Sequence, residues 1–472
     1  MQLVADEVVP LPKNGLQHVF HIPTSSFYEL GAEGLVVLEE VMRRGGLTSL
    51  NDLDHLSHIT AEDRHGLVED MRRLRLLVPE GERGQPGMLR DRPAPSESIR
   101  NLVLHVAHNC NLACTYCYAD HGKYQGKAML MEQGQAQRYI DWLFDQSGEH
   151  QNLGITFFGG EPLLNMPVVR EAAAYAREVA ANQGKSVRFS MTTNGTLISD
   201  EAVDFFEEID CQVTVSLDAV GKQNDRLRPF HSGRGSYDMI MKRIRPLLDR
   251  RKVAARVTVT RKNLDVIRTV ETLLDAGFTE VGCSPVDAKD PAFDLRGEDY
   301  EKLLANFSEL SERFISAGLK GQLYGFSNIK NLLKAIHDGQ NKEYPCGAGL
   351  QMVAGAPNGD MSLCHRFVGE DEYVLGNVEK GGINREKRLQ VLSDIRLDQR
   401  SDCGSCWARY ICSGGCHHVN FLFEGSPQRT YMTHCDYLRD WYMLGLTTYA
   451  RLVNAKPDFF DSPLQASGPC KQ

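Results

Sequence analysis

An α/β fold is predicted for the middle of this chain, with a small module in front of it and a cysteine-rich module behind it. Three observations predict this. Between residues 98 and 335, apolar strand-like runs alternate with helical stretches, the pattern of a parallel sheet with helices outside it. Residues 1–80 show strand, helix, helix and strand in short compass, and seven of the thirteen cysteines fall between Tyr344 and Tyr437.

The totals exclude several classes. The 472 residues suggest two or three domains, and 53 basic against 62 acidic residues leave a formal charge of -9. No basic patch or run marks a nucleic-acid partner. No apolar run reaches the roughly 18 residues of a membrane helix. The N-terminus lacks the basic start and apolar core of a secretion signal. A cytoplasmic location is expected, where cysteines stay reduced, so metal binding is the better use of so many. Only Cys211, Cys283 and Cys470 stand apart from the two cysteine groups. The first two are expected to be buried thiols and the last a tail residue.

In the first module (1–80), His18 to Pro23 is expected to be a strand. Leu35, Val37, Leu38, Val41 and Met42 recur at helical spacing until Gly45-Gly46. A second helix starts at Thr60, with Asp63 three residues on in capping-box order and a stripe of Leu67, Met71 and Leu74. Residues 76–78 close the module as a strand. A winged-helix-like unit follows from this order; DNA binding, its common use, is opposed by the acids of the second helix. Glycines, prolines and charges at 81–97 read as a linker.

In the middle, strands are expected at 102–107, 154–158, 187–192, 212–217, 256–260 and 280–284. Helices are expected near 131–146, 167–183, 200–208, 236–251 and 264–276. The loop after the first strand carries Cys110-x3-Cys114-x2-Cys117, with Tyr116 before the third cysteine. Three thiolates on one loop can hold three corners of an iron–sulfur cube and leave one iron open. This motif resembles the signature of the radical S-adenosylmethionine (radical SAM) enzymes, and the alternative is a zinc loop or free thiols. The resemblance implies a partial (β/α)6 TIM-like barrel with its working residues at the C-terminal ends of strands. Gly159-Gly160-Glu161-Pro162 resembles the family's motif for the amino group of SAM. The glycines are expected to let backbone approach a ligand. By the same resemblance, Tyr116, Gly160, Glu161, Thr193, Asn194 and Ser216 hold SAM. Arg228, twelve positions after Ser216, pairs with its carboxylate, and Val286 meets the adenine through its backbone. Asp218 and Asp225 are candidate catalytic carboxylates; their role stays open between substrate contact and structure.

The third segment (336–450) holds Cys346, Cys364, Cys403, Cys406, Cys412, Cys416 and Cys435, the middle four as Cys-x2-Cys-x5-Cys-x3-Cys. Cys-x2-Cys is also the common zinc half-motif, but seven cysteines cannot fill two four-cysteine sites. The pattern resembles the SPASM extension of maturases, which implies two auxiliary [4Fe–4S] clusters, three with the SAM-binding one. Cys403, Cys406, Cys412 and Cys435 would hold the outer cluster, and Cys346, Cys364 and Cys416 the inner one. Met352 stands about where relatives place a further ligand, so the inner cluster is expected to keep an open iron. His417 and His418 are expected to support the ligands rather than bind metal. The helical stretch 437–452, with Leu438, Trp441, Tyr442 and Leu446 on one face, reads as core, and 451–472 as a tail.

Together the resemblances imply an enzyme that reductively cleaves SAM and takes hydrogen from an unactivated carbon. The layout is most similar to the branch of maturation proteins serving quinohemoprotein amine dehydrogenase. That branch implies thioether links from cysteine sulfur to Asp or Glu methylene carbons in a ribosomally made polypeptide. The cysteine-containing substrate would bind through the first module by adding an edge strand, and a flavodoxin or ferredoxin would supply electrons. Other SPASM reactions are the near alternatives: sactipeptide-type thioethers, carbon–carbon links and sulfatase maturation. A multi-cluster electron carrier or redox sensor is the distant one; it has no need of a SAM cradle.

Overall fold

The computed structural model describes residues 2–11, 17–84 and 98–461, with the backbone of 465–466. Most of the expected linker, Cys470 and the end of the tail lie outside these. The first module contains β1 (Leu3–Ala5), β2 (Val8–Pro10), β3 (His18–His21), β4 (Ser26–Glu29), α1 (Ala32–Arg44), α2 (Ala61–Arg73) and β5 (Leu77–Pro79). β2, β3 and β4 form an antiparallel sheet in that order, and β1 pairs with β5. Thr60 caps α2, its hydroxyl accepting from Asp63 N at 3.1 Å. Val37, Val41, Val68 and Met71 build a core of the module's own. Met42 and Leu74, expected in it, are exposed at 40% and 41%. Each lies near its helix's C-terminal end, where the chain turns away from the stripe.

Strand alternation explains how the module docks. Val19 of β3 faces the module's own core, while its neighbour Phe20 joins the main core. Phe20 lies edge-on to Trp407 at 6.4 Å, and Phe27 edge-on to Tyr449 at 5.2 Å. Arg409 pairs with Glu7 beside them.

The middle segment runs β6 (Asn101–His108), β7 (Met129–Leu130), α3 (Gln135–Gln146), β8 (Asn152–Gly159), α4 (Met166–Asn182), β9 (Ser186–Thr193), α5 (Asp200–Glu208) and β10 (Gln212–Ser216). It continues with α6 (Lys222–Leu227), α7 (Tyr237–Arg250), β11 (Val253–Val259), α8 (Val266–Asp275), β12 (Glu280–Pro285), α9 (Glu298–Leu319), β13 (Gln322–Leu323) and α10 (Ser327–His337). β6, β8, β9, β10, β11 and β12 are parallel neighbours in sequence order. Odd-numbered residues such as Val213, Val215, Ala255 and Val257 join the main core. Their even-numbered neighbours Thr156, Ser190, Ser216 and Arg256 therefore share the opposite face, which is the inner one.

Beyond α10 come β14 (Met352–Gly355), β15 (Asp360–Ser362), β16 (Val374–Asn377), β17 (Gly382–Ile383), α11 (Arg385–Asp394), α12 (Arg409–Cys412), α13 (His417–Glu424) and α14 (Met432–Ala455). β14 pairs parallel to β6, and β15, β16 and β17 continue the same sheet. The cysteine-rich segment is thus hydrogen-bonded to the edge of the parallel sheet. α14 lies against the helices before it, with Trp441 edge-on to Phe307 at 5.1 Å and Leu446 fully buried, as expected of core. No described helix is long and apolar enough to cross a membrane.

Candidate functional site

The cysteine loop leaves β6 and is stapled to a segment more than a hundred residues away. Ala113 N donates to Pro229 O at 2.8 Å, Thr115 N to Leu227 O at 2.9 Å, and Leu112 bridges Phe230. That segment is the end of α6, so the staple delivers Arg228 to the cysteines. Leu112 N and Asn194 Nδ2 approach Cys110 Sγ at 3.5 and 3.7 Å, donors suited to a thiolate. Burial pushes the Cys110 thiol up to about 11, helped by the Glu161 carboxylate. It pushes Cys114 up to about 12, opposed by Arg228. Ligation of metal there must displace protons.

Arg228, Tyr116 and Asp218 form one buried unit. Asp218 Oδ1 accepts from Thr258 N at 2.9 Å. Its Oδ2 accepts from the Tyr116 hydroxyl and from Arg228 Nη1, the latter at 3.4 Å. Arg228 also donates to Tyr116 Oη at 2.7 Å. Burial works against the Arg228 charge, and Cys114, Tyr116 and Asp218 overcome it, holding the guanidinium well above its usual range. Its Nε is buried without a partner. Ser216 sits on the inner face, and among the described residues its hydroxyl makes no hydrogen bond. An orphaned guanidinium N–H and a free hydroxyl beside a three-cysteine loop fit the carboxylate of SAM.

Several expected contacts take a different form. Glu161 is fully buried, and its carboxylate accepts from Leu163 N at 3.0 Å, Thr193 Oγ1 at 2.7 Å and Asn194 N at 2.7 Å. Three of roughly four lone-pair positions are thus used, and burial still holds its pKa above the ordinary value. Thr193 and Asn194 brace Glu161 and the cysteine loop. Asn194 Nδ2 also donates to Asn111 at 2.9 Å. The two glycines let neighbouring backbone approach. A Cβ on Gly159, at φ +131, would lie 2.2 Å from Ala107 O, and one on Gly160 2.2 Å from Asn109 O. Val286 N donates to Val259 O at 2.8 Å, which leaves only its carbonyl for an adenine. Neither candidate catalytic carboxylate is free. Asp218 is consumed in the buried unit, and Asp225 Oδ1 accepts from Tyr237 N at 2.8 Å, tying α6 to the start of α7.

The later cysteines gather at two places. Cys403, Cys406, Cys412 and Cys435 line one cavity of ≈ 40 Å³, and Cys416, expected in the inner group, lines it too. One water takes about 10–15 Å³ by that measure, so the space suits a multi-atom group rather than a lone ion. The Thr430 hydroxyl stands 3.8 Å from Cys403 Sγ. Burial, then the Cys416 and Cys346 thiols, push Cys364 up to about 12, which sets these three together as the inner group. Met352 opens β14, bridges Ala348 and packs in a small apolar cluster with Cys117 and Val103. His417 Nδ1 meets Arg400 Nη2 at 3.0 Å. Among the described residues no three His, Cys, Asp or Glu groups converge as around a single ion.

One contact chain joins the first loop to the inner group. Tyr118, directly after Cys117, lies 6.2 Å from the ring of His418, two residues after Cys416. The guanidinium of Arg366, two residues after Cys364, sits 5.1 Å over the Tyr118 ring and pairs with Asp287. Tyr118, Arg366 and Asp287 were not singled out by the sequence; the only available signal was that two of them flank cysteines. The buried Arg228–Tyr116–Asp218 unit thus stands against the first cysteine loop, and Tyr118 links that loop to the segments carrying Cys364 and Cys416.

Known proteins bear on this geometry. The radical SAM superfamily model matches residues 104–260. The serine-type anaerobic sulfatase-maturating enzyme of Bacteroides thetaiotaomicron is 30% identical over 383 residues, 70% of this chain and 86% of that protein. The cysteine-type enzyme of Clostridium novyi is 27% identical over 340 residues, 68% and 88% of the two chains. The solved structure of native anSMEcpe with bound AdoMet shares the fold at 19% identity, with a TM-score of 0.65, covering 75% of this chain and 99% of that one.

Proposed function

This chain belongs to the radical SAM superfamily, among relatives of the anaerobic sulfatase-maturating enzymes, and from that premise we propose that it forms thioether cross-links in a ribosomally made polypeptide. Each link joins a cysteine sulfur to an Asp or Glu methylene carbon, and the polypeptide is the small subunit of quinohemoprotein amine dehydrogenase. The observation that carries this reading is the contact of Tyr118 with Arg366 and His418, which links the first cysteine loop to the segments carrying Cys364 and Cys416.

Cys110, Cys114 and Cys117 would hold the SAM-binding cluster, and the seven later cysteines two auxiliary ones in the division given above. When bound and given an external one-electron donor such as flavodoxin or ferredoxin, the SAM-binding cluster would supply the reductive cleavage of SAM that drives removal of a substrate hydrogen. The overall change breaks one substrate C–H and one S–H bond and forms one C–S bond. SAM becomes methionine and 5′-deoxyadenosine, one proton leaves, and the electron spent on SAM returns when the link closes. The protein's own contribution is positional. Arg228 and Ser216 hold SAM, Asp218 and Tyr116 fix Arg228, and the inner face keeps water from the reacting carbon. The six-unit parallel sheet is read as the partial barrel of this family, with the first module as the substrate dock. β4 is an edge strand of that module among the described residues, which suits strand addition.

Sulfatase maturation is the second reading, favoured by the names of the relatives. Coexpression with the small-subunit polypeptide separates the two. Product fragments with sulfur bonded to carbon support the thioether, and free, alkylatable cysteines count against it.

A further inference from the structure

We propose that Arg256 receives the carboxylate of an acidic side chain of the polypeptide substrate, which makes it the residue that selects Asp or Glu at the modified position. The proposal rests on the function above and deepens it.

Position comes first. Arg256 on β11 is the register partner of Ser216 on β10 and of Gly282 on β12. Its neighbours Ala255 and Val257 face the main core, so Arg256 projects from the inner face alongside Ser216. The Gly282 side offers no obstruction, since even a Cβ there would remain 3.5 Å from Arg256 Nη1. Arg256 reaches Ser284 near the end of β12, and Asp287, three residues on, pairs with Arg366, two residues after Cys364. A group bound to Arg256 would therefore lie on the Ser216 face, on the side toward Cys364, where we place the modified residue.

Charge accounting comes second. Arg366 is paired with Asp287. Arg256 donates to the Ser284 hydroxyl and has no ion pair among the described residues. Arg256 is exposed on this face, and a guanidinium does not shed its proton at any working pH. A charged group facing the site with no ion pair of its own is open to an anion, and its planar fork matches a carboxylate in two-point fashion. The carboxylate of SAM has its own candidate in Arg228, whose orphaned Nε faces a different residue set. The remaining anion that must enter is on the substrate.

The test uses the full-length, cluster-loaded enzyme and two probes: the small-subunit polypeptide, and a copy with Asn or Gln at the modified acidic positions. Cross-linking kcat/KM, polypeptide affinity by fluorescence anisotropy, and 5′-deoxyadenosine formation without polypeptide are read for wild type, R256Q and R256K. The acidic probe should beat the amide probe by about 30-fold or more in wild type, the scale of a truncated buried charge pair. R256Q should lose that preference by weakening only the acidic probe, while SAM cleavage without polypeptide stays unchanged. R256K should recover part of it as a point charge. An R256Q enzyme that keeps the preference, or loses both probes equally, overturns the proposal. So does R256Q losing polypeptide-independent SAM cleavage, which assigns Arg256 to SAM. If wild type cross-links neither probe, the proposed reaction fails, and the anisotropy preference alone then decides for or against Arg256.

Discussion

Asp218→Asn separates a structural carboxylate from a catalytic base. In the structure both oxygens are committed: Oδ1 to Thr258 N at 2.9 Å, and Oδ2 to the Tyr116 hydroxyl and Arg228 Nη1. An asparagine cannot serve both sides. Its cheaper orientation keeps the carbonyl on Arg228 and Tyr116 and turns the amide toward the Thr258 N–H. That leaves a buried donor unsatisfied, at about 1–3 kcal/mol. It also removes the counter-ion of a guanidinium whose side chain is only 10% exposed, a loss bounded by about 3–5 kcal/mol. Because the asparagine carbonyl recovers part of the second term, about 4 kcal/mol is expected in total. For a segment the size of the parallel-sheet unit, 1 kcal/mol moves the midpoint by about 2–4 °C, so the melt should fall by about 8–16 °C. Anaerobic calorimetry of the loaded protein measures this. SAM affinity and SAM cleavage should fall together with cross-linking, because Arg228 loses its anchor. A variant that melts with wild type and cleaves SAM normally, yet makes no cross-link, would refute the structural assignment and restore Asp218 as a base.

The remaining predictions follow from the same contacts. Cys110→Ala should abolish SAM cleavage, whereas Cys364→Ala should retain cleavage and lose cross-linking, read by chromatography of 5′-deoxyadenosine beside mass spectra of the polypeptide; equal losses count against the division of roles. Cys211 and Cys283, each 1% exposed and each pushed up to about 12 by burial, should resist alkylation at pH 8 in the native protein and react after denaturation. Because their folded-state values are raised, the stability they contribute is intact below the ordinary thiol range near 8.5. It is lost as pH climbs toward 12, which an alkaline denaturation series in the Cys→Ala variants checks. Three loaded clusters require about 12 iron atoms per chain with matching acid-labile sulfide, measurable by metal analysis; colourless protein holding zinc would contradict that.

The chain's periodicity made the parallel sheet legible because β8, β9, β10 and β11 bury one face of alternating residues, while β6 and β12 bury continuous runs. The cysteine loop and the Ser216–Arg228 spacing were legible as local patterns, and the structure staples the loop to the segment carrying Arg228. What escaped were roles set by partners far away in the chain. That Glu161 is braced by the Thr193–Asn194 turn could not be read from its own motif. The glycines beside it serve the backbone of Ala107 and Asn109, which no local pattern discloses. Arg256 is unremarkable in sequence and becomes meaningful only through register with Ser216 and through the pairing of Arg366 with Asp287. The docking of the first module through Phe20 and Phe27 is likewise invisible until Trp407 and Tyr449 are placed.

The mass and fragmentation of the coexpressed small-subunit polypeptide test the central claim most directly. The account predicts a loss of two hydrogens per link, cysteines that no longer alkylate, and fragments in which sulfur is bonded to an Asp or Glu methylene carbon. Alkylatable cysteines, or an aldehyde in place of a cysteine or serine side chain, would contradict it.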